Sequence, residues 1–256
     1  HKSMGTQTRP SFEDYKKELV NATTNLLFKN EGFYSTYMNG FITGLKTDTF
    51  SNLVSNLDKS KEEYIIPEYL FLTDPESVTL AFKPLESILN KIYRVNVVNS
   101  RKWPRLDGEH LISLDNFHLH LNDIFRTRFI CRYLDGPKFA CEHLSRICKE
   151  LGVNHEFRAV TTNLGYHAWH FYYKQAMDDF AGTGSADITI ELQFTTQLAE
   201  VIGSLTHVQY ESSRLGEKFD DDWRWNVNSK QFRPYYIANG LHLLEGVILE
   251  FRDSIL

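Results

Sequence analysis

Apolar residues recur at mixed spacings of three and four from Ser11 to about Ser60, at Tyr15, Leu19, Leu26, Leu27, Phe41 and Leu45. This is the period of helices with one buried stripe. The NEGF segment, Asn30 to Phe33, interrupts it as a turn and predicts two or three helices. Glu63 to Asp74 is apolar and aromatic around Pro67, which suits a strand or an extended connector. Val78 to Phe82 reads as a short strand, and Pro84 stands where proline suits the first turn of a helix running to about Val95. Leu85, Ile88, Leu89 and Ile92 form the apolar face of that helix. Lys83, Ser87, Lys91 and Arg94, at offsets of four, eight and eleven, fall within about 80° of one another on its polar face.

Further along, Arg126 to Leu134 is β-branched and aromatic enough for a strand. After the Asp135-Gly136-Pro137 turn, Phe139 to Leu151 has helical periodicity that stops at Gly152. Three strand segments follow, Glu156 to Val160, Tyr166 to Tyr173 and Ile188 to Phe194, separated by turn-rich stretches at Thr161 to Gly165 and Asp178 to Asp187. Thr195 to about Arg214 predicts a helix with Leu198, Val201, Ile202, Leu205 and Val208 inward. Tyr235 to Arg252 predicts a last one, with Ile237, Leu241, Leu244, Ile248 and Phe251 inward. The order implies an α/β (α+β) fold: a mixed central sheet flanked by helices, with helical extensions at both ends.

Composition narrows the class. The 256 residues fit one large domain, or one with a helical appendage, and suffice for a continuous core. At 42% hydrophobic and 14% aromatic, the chain is neither disordered, collagen-like nor a disulfide miniprotein. A net charge of -5 excludes a surface that binds nucleic acid all round but leaves room for a local basic groove. Cys131, Cys141 and Cys148 fit neither a metal knuckle nor an even disulfide framework and read as thiols in a reducing compartment. No apolar run reaches the ~18 residues of a membrane helix, and HKSMGTQTRP lacks the apolar stretch of a signal peptide, so the expected location is the cytoplasm. His1 to Thr6 reads as a tag remnant, and Asp220 to Asp222 as a solvated turn.

Several residues could carry chemistry. Ile188, Ile190, Leu192 and Phe194 alternate onto one face of their strand, which leaves Thr189, Glu191 and Gln193 on the other. Glu191 is then either a solvent-facing residue of an edge strand or a group for metal binding or proton transfer. Tyr166 and His170 share a strand face, as a stacking platform beside a donor or as a packed aromatic pair. His207 shares a helix side with Glu200, Tyr210 and Arg214, which by itself is a hydrated face. The stripe Lys83, Ser87, Lys91 and Arg94 is either a solvent face or an anion site at a helix start. Asp123 precedes a strand carrying Arg126, Arg128 and Arg132, and arginines on a half-buried strand call for anions.

These pieces together resemble the synthetase domain of the RelA/SpoT family, which makes the guanosine alarmones. The resemblance lies in KPLESILNKIYR, then DIFRTRFICRY with its Asp-x(4)-Arg, then GYHAWH with Gly-Tyr-x-x-x-His, then ELQFTTQLAEVIGSLTHVQY with Glu-x-Gln-x-x-Thr and a following His and Tyr. It covers about Val78 to Arg214. It implies a nucleotidyltransferase-like core over residues 76–215, with a helical extension at 1–75 and a C-terminal helical segment at 216–256 packed on the core.

By that resemblance Asp123 and Glu191 hold Mg²⁺, and Glu191 receives the proton of the attacking hydroxyl. Lys83, Ser87, Lys91 and Arg94 serve ATP, and Arg128 acts at the strand as a third catalytic residue. Tyr166 stacks on the acceptor base, while His170, Gln193 and His207 line the acceptor site. The implied reaction moves pyrophosphate from ATP to the ribose 3'-hydroxyl of GDP or GTP, making (p)ppGpp and releasing AMP. Three positions depart from the family pattern: Ala81 where an arginine is frequent, no Pro-Lys in AVTTNLGY, and Thr195 in place of an arginine. The lost cations leave other acceptors open, namely the tRNA 3' end as in family toxins, or adenosine nucleotides. An idle nucleotide-binding module is the remaining alternative. The implied partners are ATP and the acceptor, with an antitoxin or a second copy of the chain beside them, and no membrane.

Overall fold

The structure is a computed structural model that describes residues 8–45, 49–100, 103, 111–162, 165–178, 184–214 and 222–256. In chain order its helices are α1 (Phe12–Ala22), α2 (Glu31–Leu45), α3 (Thr49–Ser60), α4 (Leu85–Tyr93), α5 (Phe117–His120), α6 (Gly136–Leu151), α7 (Gln197–Arg214) and α8 (Phe232–Ile255). Its strands are β1 (Ala81–Phe82), β2 (Phe125–Cys131), β3 (His155–Thr161), β4 (His167–Asp178) and β5 (Ser185–Thr196). The strands form one five-stranded sheet in the order β1-β2-β5-β4-β3, the sheet flanked by helices that the element order predicts. β1 pairs antiparallel with β2, and β3 pairs antiparallel with β4 over His155 to Thr161.

Local chemistry sets most element ends. The Ser11 hydroxyl caps α1 by accepting from the Asp14 amide at 3.2 Å. In the NEGF segment only Asn30 lies outside a helix: its Oδ1 accepts from the Gly32 amide at 2.6 Å, so the expected turn is the cap and first turn of α2. The Asp135-Gly136-Pro137 turn is likewise the opening of α6, with Pro137 in the first turn, where its missing N–H costs nothing. Gly152 ends α6 in the left-handed region at φ 67°. Glu63 to Asp74 is mostly connector with short 3₁₀ turns, touching the sheet through a bridge between Phe71 and Cys131.

Two compact units, each discontinuous in sequence, make up the chain, and the division cuts β2 after Arg126 and β5 after Glu191. The first (1–49, 80–126, 174–191) has a core of Phe28, Tyr34, Met38, Ile88, Ile92, Phe117 and Phe125. Phe28 meets Phe117 edge-on at 5.6 Å, and Phe41 stacks on Phe125 at 5.3 Å. The second unit (50–79, 127–173, 192–256) is built around Leu53, Leu57, Leu144, Phe171, Tyr173 and a stack of Phe129 on Phe194 at 5.0 Å. All three cysteines are buried there as free thiols, and burial holds their pKa values above the ordinary thiol range. α8 is tied down by Arg252, which reaches Asp135 at 2.9 Å and the Tyr64 hydroxyl at 2.8 Å.

Three expectations are corrected. Glu191 is not on an edge: β5 is the middle strand, and both of its faces are covered from Ile190 to Thr196. In α7 Ile202 is buried, but Val201 and Leu205 are exposed; the side chain of Val208 lies outside the described residues. In α8 the residues read as inward mostly point out, because helical period shows which side chains share a face but not which face the rest of the protein covers. Asp220 and Asp221 also lie outside the described residues. Among the described residues no helix is long and apolar enough to cross a membrane.

Candidate functional site

Strand register builds the first cluster. Ala81 faces Arg126 and Phe82 faces Phe125, so Lys83, one residue past β1, donates its amide to the Ile124 carbonyl at 2.8 Å and sits beside Asp123. Lys83 Nζ bonds Asp123 Oδ2 at 2.5 Å, and Lys91, two turns into α4, bonds Asp123 Oδ1. Pro84 caps α4, so Lys83 lies ahead of the helix and is buried, not part of a helical stripe. Ser87 and Lys91 are on α4, half-buried, and Arg94 begins a π-helical turn, Arg94–Val98, that ends the α-helical spacing. The Tyr34 hydroxyl of α2 donates to the Lys83 carbonyl at 2.8 Å, which fixes the backbone at the lysine.

Electrostatics follow from that packing. Burial pushes the Asp123 carboxyl up, but the charges and hydrogen bonds of Lys91 and Lys83 outweigh it and hold the pKa well below the usual carboxylate range. Burial also draws the Lys83 ammonium down, against the pull of Asp123. The result is one ionised carboxylate between two ammonium groups. Glu191, in the same unit, is buried in β5 at 3% exposure. Carboxylate oxygens are hard donors of the kind Mg²⁺ takes alongside substrate phosphates, but among the described residues no three His, Cys, Asp or Glu side chains are grouped as a metal site. Both oxygens of Asp123 are engaged by lysines, so an ion there would share or displace one of them.

The second cluster lies within the other unit. Arg128 of β2 donates from Nε to Gln193 Oε1 of β5 at 3.3 Å and pairs with Glu200 in the first turn of α7. Tyr166 stands just ahead of β4, half-buried, with its hydroxyl 2.8 Å from His170 Nε2. His170 Nδ1 lies 3.1 Å from the Tyr172 hydroxyl. The three alternate residues Tyr166, His170 and Tyr172 therefore form a hydrogen-bonded chain along one strand face. His207 is in α7, and its side chain lies outside the described residues.

Tyr166 is held from three directions. Thr162 closes a tight turn, its carbonyl accepting from the Gly165 amide and its amide donating to the Tyr166 carbonyl, both at 3.0 Å. Gly165, at φ 82°, lies flat against Ala238 of α8. The His167 ring stacks on His242 of α8 at 3.9 Å, and Thr195 Oγ1 donates to the His167 carbonyl at 2.9 Å.

Comparison with solved structures finds the same architecture elsewhere. A GTP pyrophosphokinase family protein from Streptococcus pneumoniae superposes with a TM-score of 0.53 at 19% identity, covering 87% of this chain and 94% of that one. Small alarmone synthetase 1 from Bacillus subtilis gives 0.53 at 15% identity, with coverage of 88% and 98%. The fold is that of the small alarmone synthetases. The same Bacillus synthetase bound to its product pppGpp gives 0.50 at 16% identity, with coverage of 85% and 93%. No family model and no curated protein sequence matches the chain.

On that synthetase fold the expected residues fall into two sets. Lys83, Lys91 and Asp123 are brought together in one unit, and Arg128 with Gln193, and Tyr166 with His170, in the other. Reading the sequence alone missed Tyr172 and Glu200 as partners and the particular contacts by which α8 supports the turn before Tyr166. Tyr172 was available from the period of two that links Tyr166 and His170. The α8 contacts are tertiary and had no sequence signal. Thr195 is buried and bonded to backbone, which leaves a neutral group where the family pattern has a cation.

Proposed function

We propose that the chain is an ATP-dependent pyrophosphokinase that transfers the β,γ-pyrophosphoryl group of ATP to the ribose 3'-hydroxyl of a guanosine nucleotide and releases AMP. The observation that carries the reading is Asp123 clamped between Lys83 and Lys91, on the fold of the small alarmone synthetases. A carboxylate and two ammonium groups at one point match a triphosphate with its metal, because phosphoryl chemistry is mostly placement and charge compensation.

In this reading Lys83 and Lys91 exchange Asp123 for phosphate oxygens, while Ser87 and Arg94 extend the donor site along α4. The acceptor base lies on the half-exposed ring of Tyr166, whose hydroxyl is oriented by His170. Arg128, aimed by Gln193 and Glu200, neutralises charge beside β5. The 3'-oxygen attacks the β-phosphorus, the bond to the α–β bridging oxygen breaks, and Glu191 takes the hydroxyl proton. Asp123 and Glu191 would hold Mg²⁺, which would supply Lewis-acid compensation of the phosphate charge. His207 is proposed to face the acceptor, and the chain to work in the cytoplasm.

Thr195 favours a second reading of the acceptor. Its hydroxyl serves the His167 carbonyl, so this position offers no cation to a polyphosphate. A singly charged diester, as at the tRNA 3' end, demands less compensation than GTP. Incubation with γ-labelled ATP and Mg²⁺, separately with GDP, GTP, ATP alone and bulk tRNA, decides between them. Label in a guanosine product supports the first reading and label in tRNA the second, whereas ATP binding without AMP release in any arm refutes both.

A further inference from the structure

His167 directly follows Tyr166, and its ring lies flat on His242 of α8, 6° from parallel at 3.9 Å between centroids. Both of its ring nitrogens are buried without a hydrogen bond of good geometry, although a neutral imidazole has one donor and one acceptor to satisfy. Asn239, the polar side chain beside the ring, turns its amide to the Tyr235 carbonyl at 2.8 Å. Such a histidine is held by stacking and by its flanking backbone, not by its nitrogens. Gly165 lies against Ala238, and Thr195 donates to the His167 carbonyl.

What surrounds the two rings decides how they respond to protons. From α8 comes Glu245, itself buried, with a carboxylate oxygen 3.5 Å from His242 Nδ1. From α7 come the apolar Leu198, Ala199 and Ile202, and from the end of β5 the hydroxyls of Thr195 and Thr196. Among the described residues, the titratable groups that face the rings are therefore each other and Glu245. One carboxylate can balance a proton on one ring. A second proton sets two cations face to face beside the apolar wall of α7, where the lower dielectric makes their repulsion about four times that in bulk water. Burial, and then the neighbouring His242, hold the His167 pKa below the ordinary imidazole value.

We propose that His242 is a positioning residue of the acceptor site: stacked on His167, it clasps α8 to the turn that presents Tyr166, and the clasp opens when both rings are protonated. The inference rests on the reading that lays the acceptor base on Tyr166. With the rings apart, Gly165 loses its seat on Ala238 and Tyr166 its fixed orientation, while Arg252 still ties the far end of α8 to Asp135. Acidification below about pH 6.5, the ordinary imidazole value, then loosens the acceptor site without unfolding the chain.

Amide hydrogen exchange on the full chain, corrected for its intrinsic pH dependence, tests the clasp without reference to catalysis. Protection of the amides from Gly165 to Ala168 should fall at least about tenfold between about pH 7 and pH 5, since an opening that follows one proton changes tenfold per pH unit. His242→Phe, which stacks but takes no proton, should keep its protection over that range. Glu245→Gln should lose protection at a higher pH than the wild type, because the first proton is then already unbalanced. Kinetics with GDP as the probe read the link to the acceptor site. The wild-type KM for GDP should rise in step with the loss of protection and stay flat in His242→Phe, with the KM for ATP unchanged in both. No transfer to GDP at neutral pH would count against the reaction assignment, and the exchange profile then decides the clasp by itself. Wild-type protection independent of pH, equal acid sensitivity in His242→Phe, or a GDP KM indifferent to the opening would each overturn the proposal.

Discussion

Gly165 and Ala238 meet so closely that a Cβ built on the glycine would lie 2.1 Å from the alanine Cβ. The contact seats α8 on the turn that presents Tyr166, and it demands glycine twice over, by space and by a φ of 82°. Gly165→Ala should therefore cost about 2–4 kcal/mol, adding overpacking to left-handed strain. Urea denaturation measures it. Ala238→Gly in the same chain should recover the steric part only. A Gly165→Ala protein as stable as the wild type would show that α8 does not bear on this turn.

The two lysines at Asp123 should separate by burial. Lys83 is buried and Lys91 is partly exposed. Lys83→Ala should lose about 3 kcal/mol, because it removes the buried partner of Asp123 Oδ2 and leaves Lys91 alone to compensate the carboxylate. Lys91→Ala should lose only about 1 kcal/mol and yet weaken ATP binding or turnover. Equal stability losses with unchanged ATP affinity would make the cluster purely structural.

Asp123 should shape the acid limb of the stability profile. Its folded pKa is depressed, so the stability it contributes is full above the unfolded value of about 3.9 and is lost as pH falls through the lower folded value. Denaturation profiles from about pH 6 to pH 2 should fall steeply below about 4 in the wild type and less steeply in Asp123→Asn. Parallel acid limbs for the two proteins would contradict the clamp.

Tyr166 separates base stacking from packing. Base stacking on an aromatic ring is worth ~1–3 kcal/mol, so Tyr166→Ala should lower acceptor turnover roughly ten- to a hundredfold with the melting temperature nearly kept. Tyr166→Phe, which loses the hydrogen bond to His170, should retain most activity. Unfolding of the alanine variant with no change in acceptor KM for the phenylalanine one would assign the ring to the core.

Much of this was readable from the chain because periods of two and of about 3.6 are local properties. Alternation in β5 put Glu191 and Gln193 together on one face, and the same rule joined Tyr166 to His170. Helix positions followed from capping residues, although Pro84 and Asn30 turned out to be caps where a first turn and a loop were expected.

Tertiary structure alone decided what those faces meet. Lys83 seemed part of an exposed helical stripe, but the antiparallel register of β1 and β2 buries it against Asp123, forty residues away. Glu191 seemed suited to an edge, but strand order places β5 in the middle of the sheet. The apolar residues of α8 seemed inward, yet Arg252 takes the buried line because Asp135 and Tyr64, distant in sequence, are there to satisfy it. Periodicity is fixed by the geometry of the backbone and is therefore written in neighbouring residues. Which face is covered depends on groups distant in sequence, and no local pattern encodes their position.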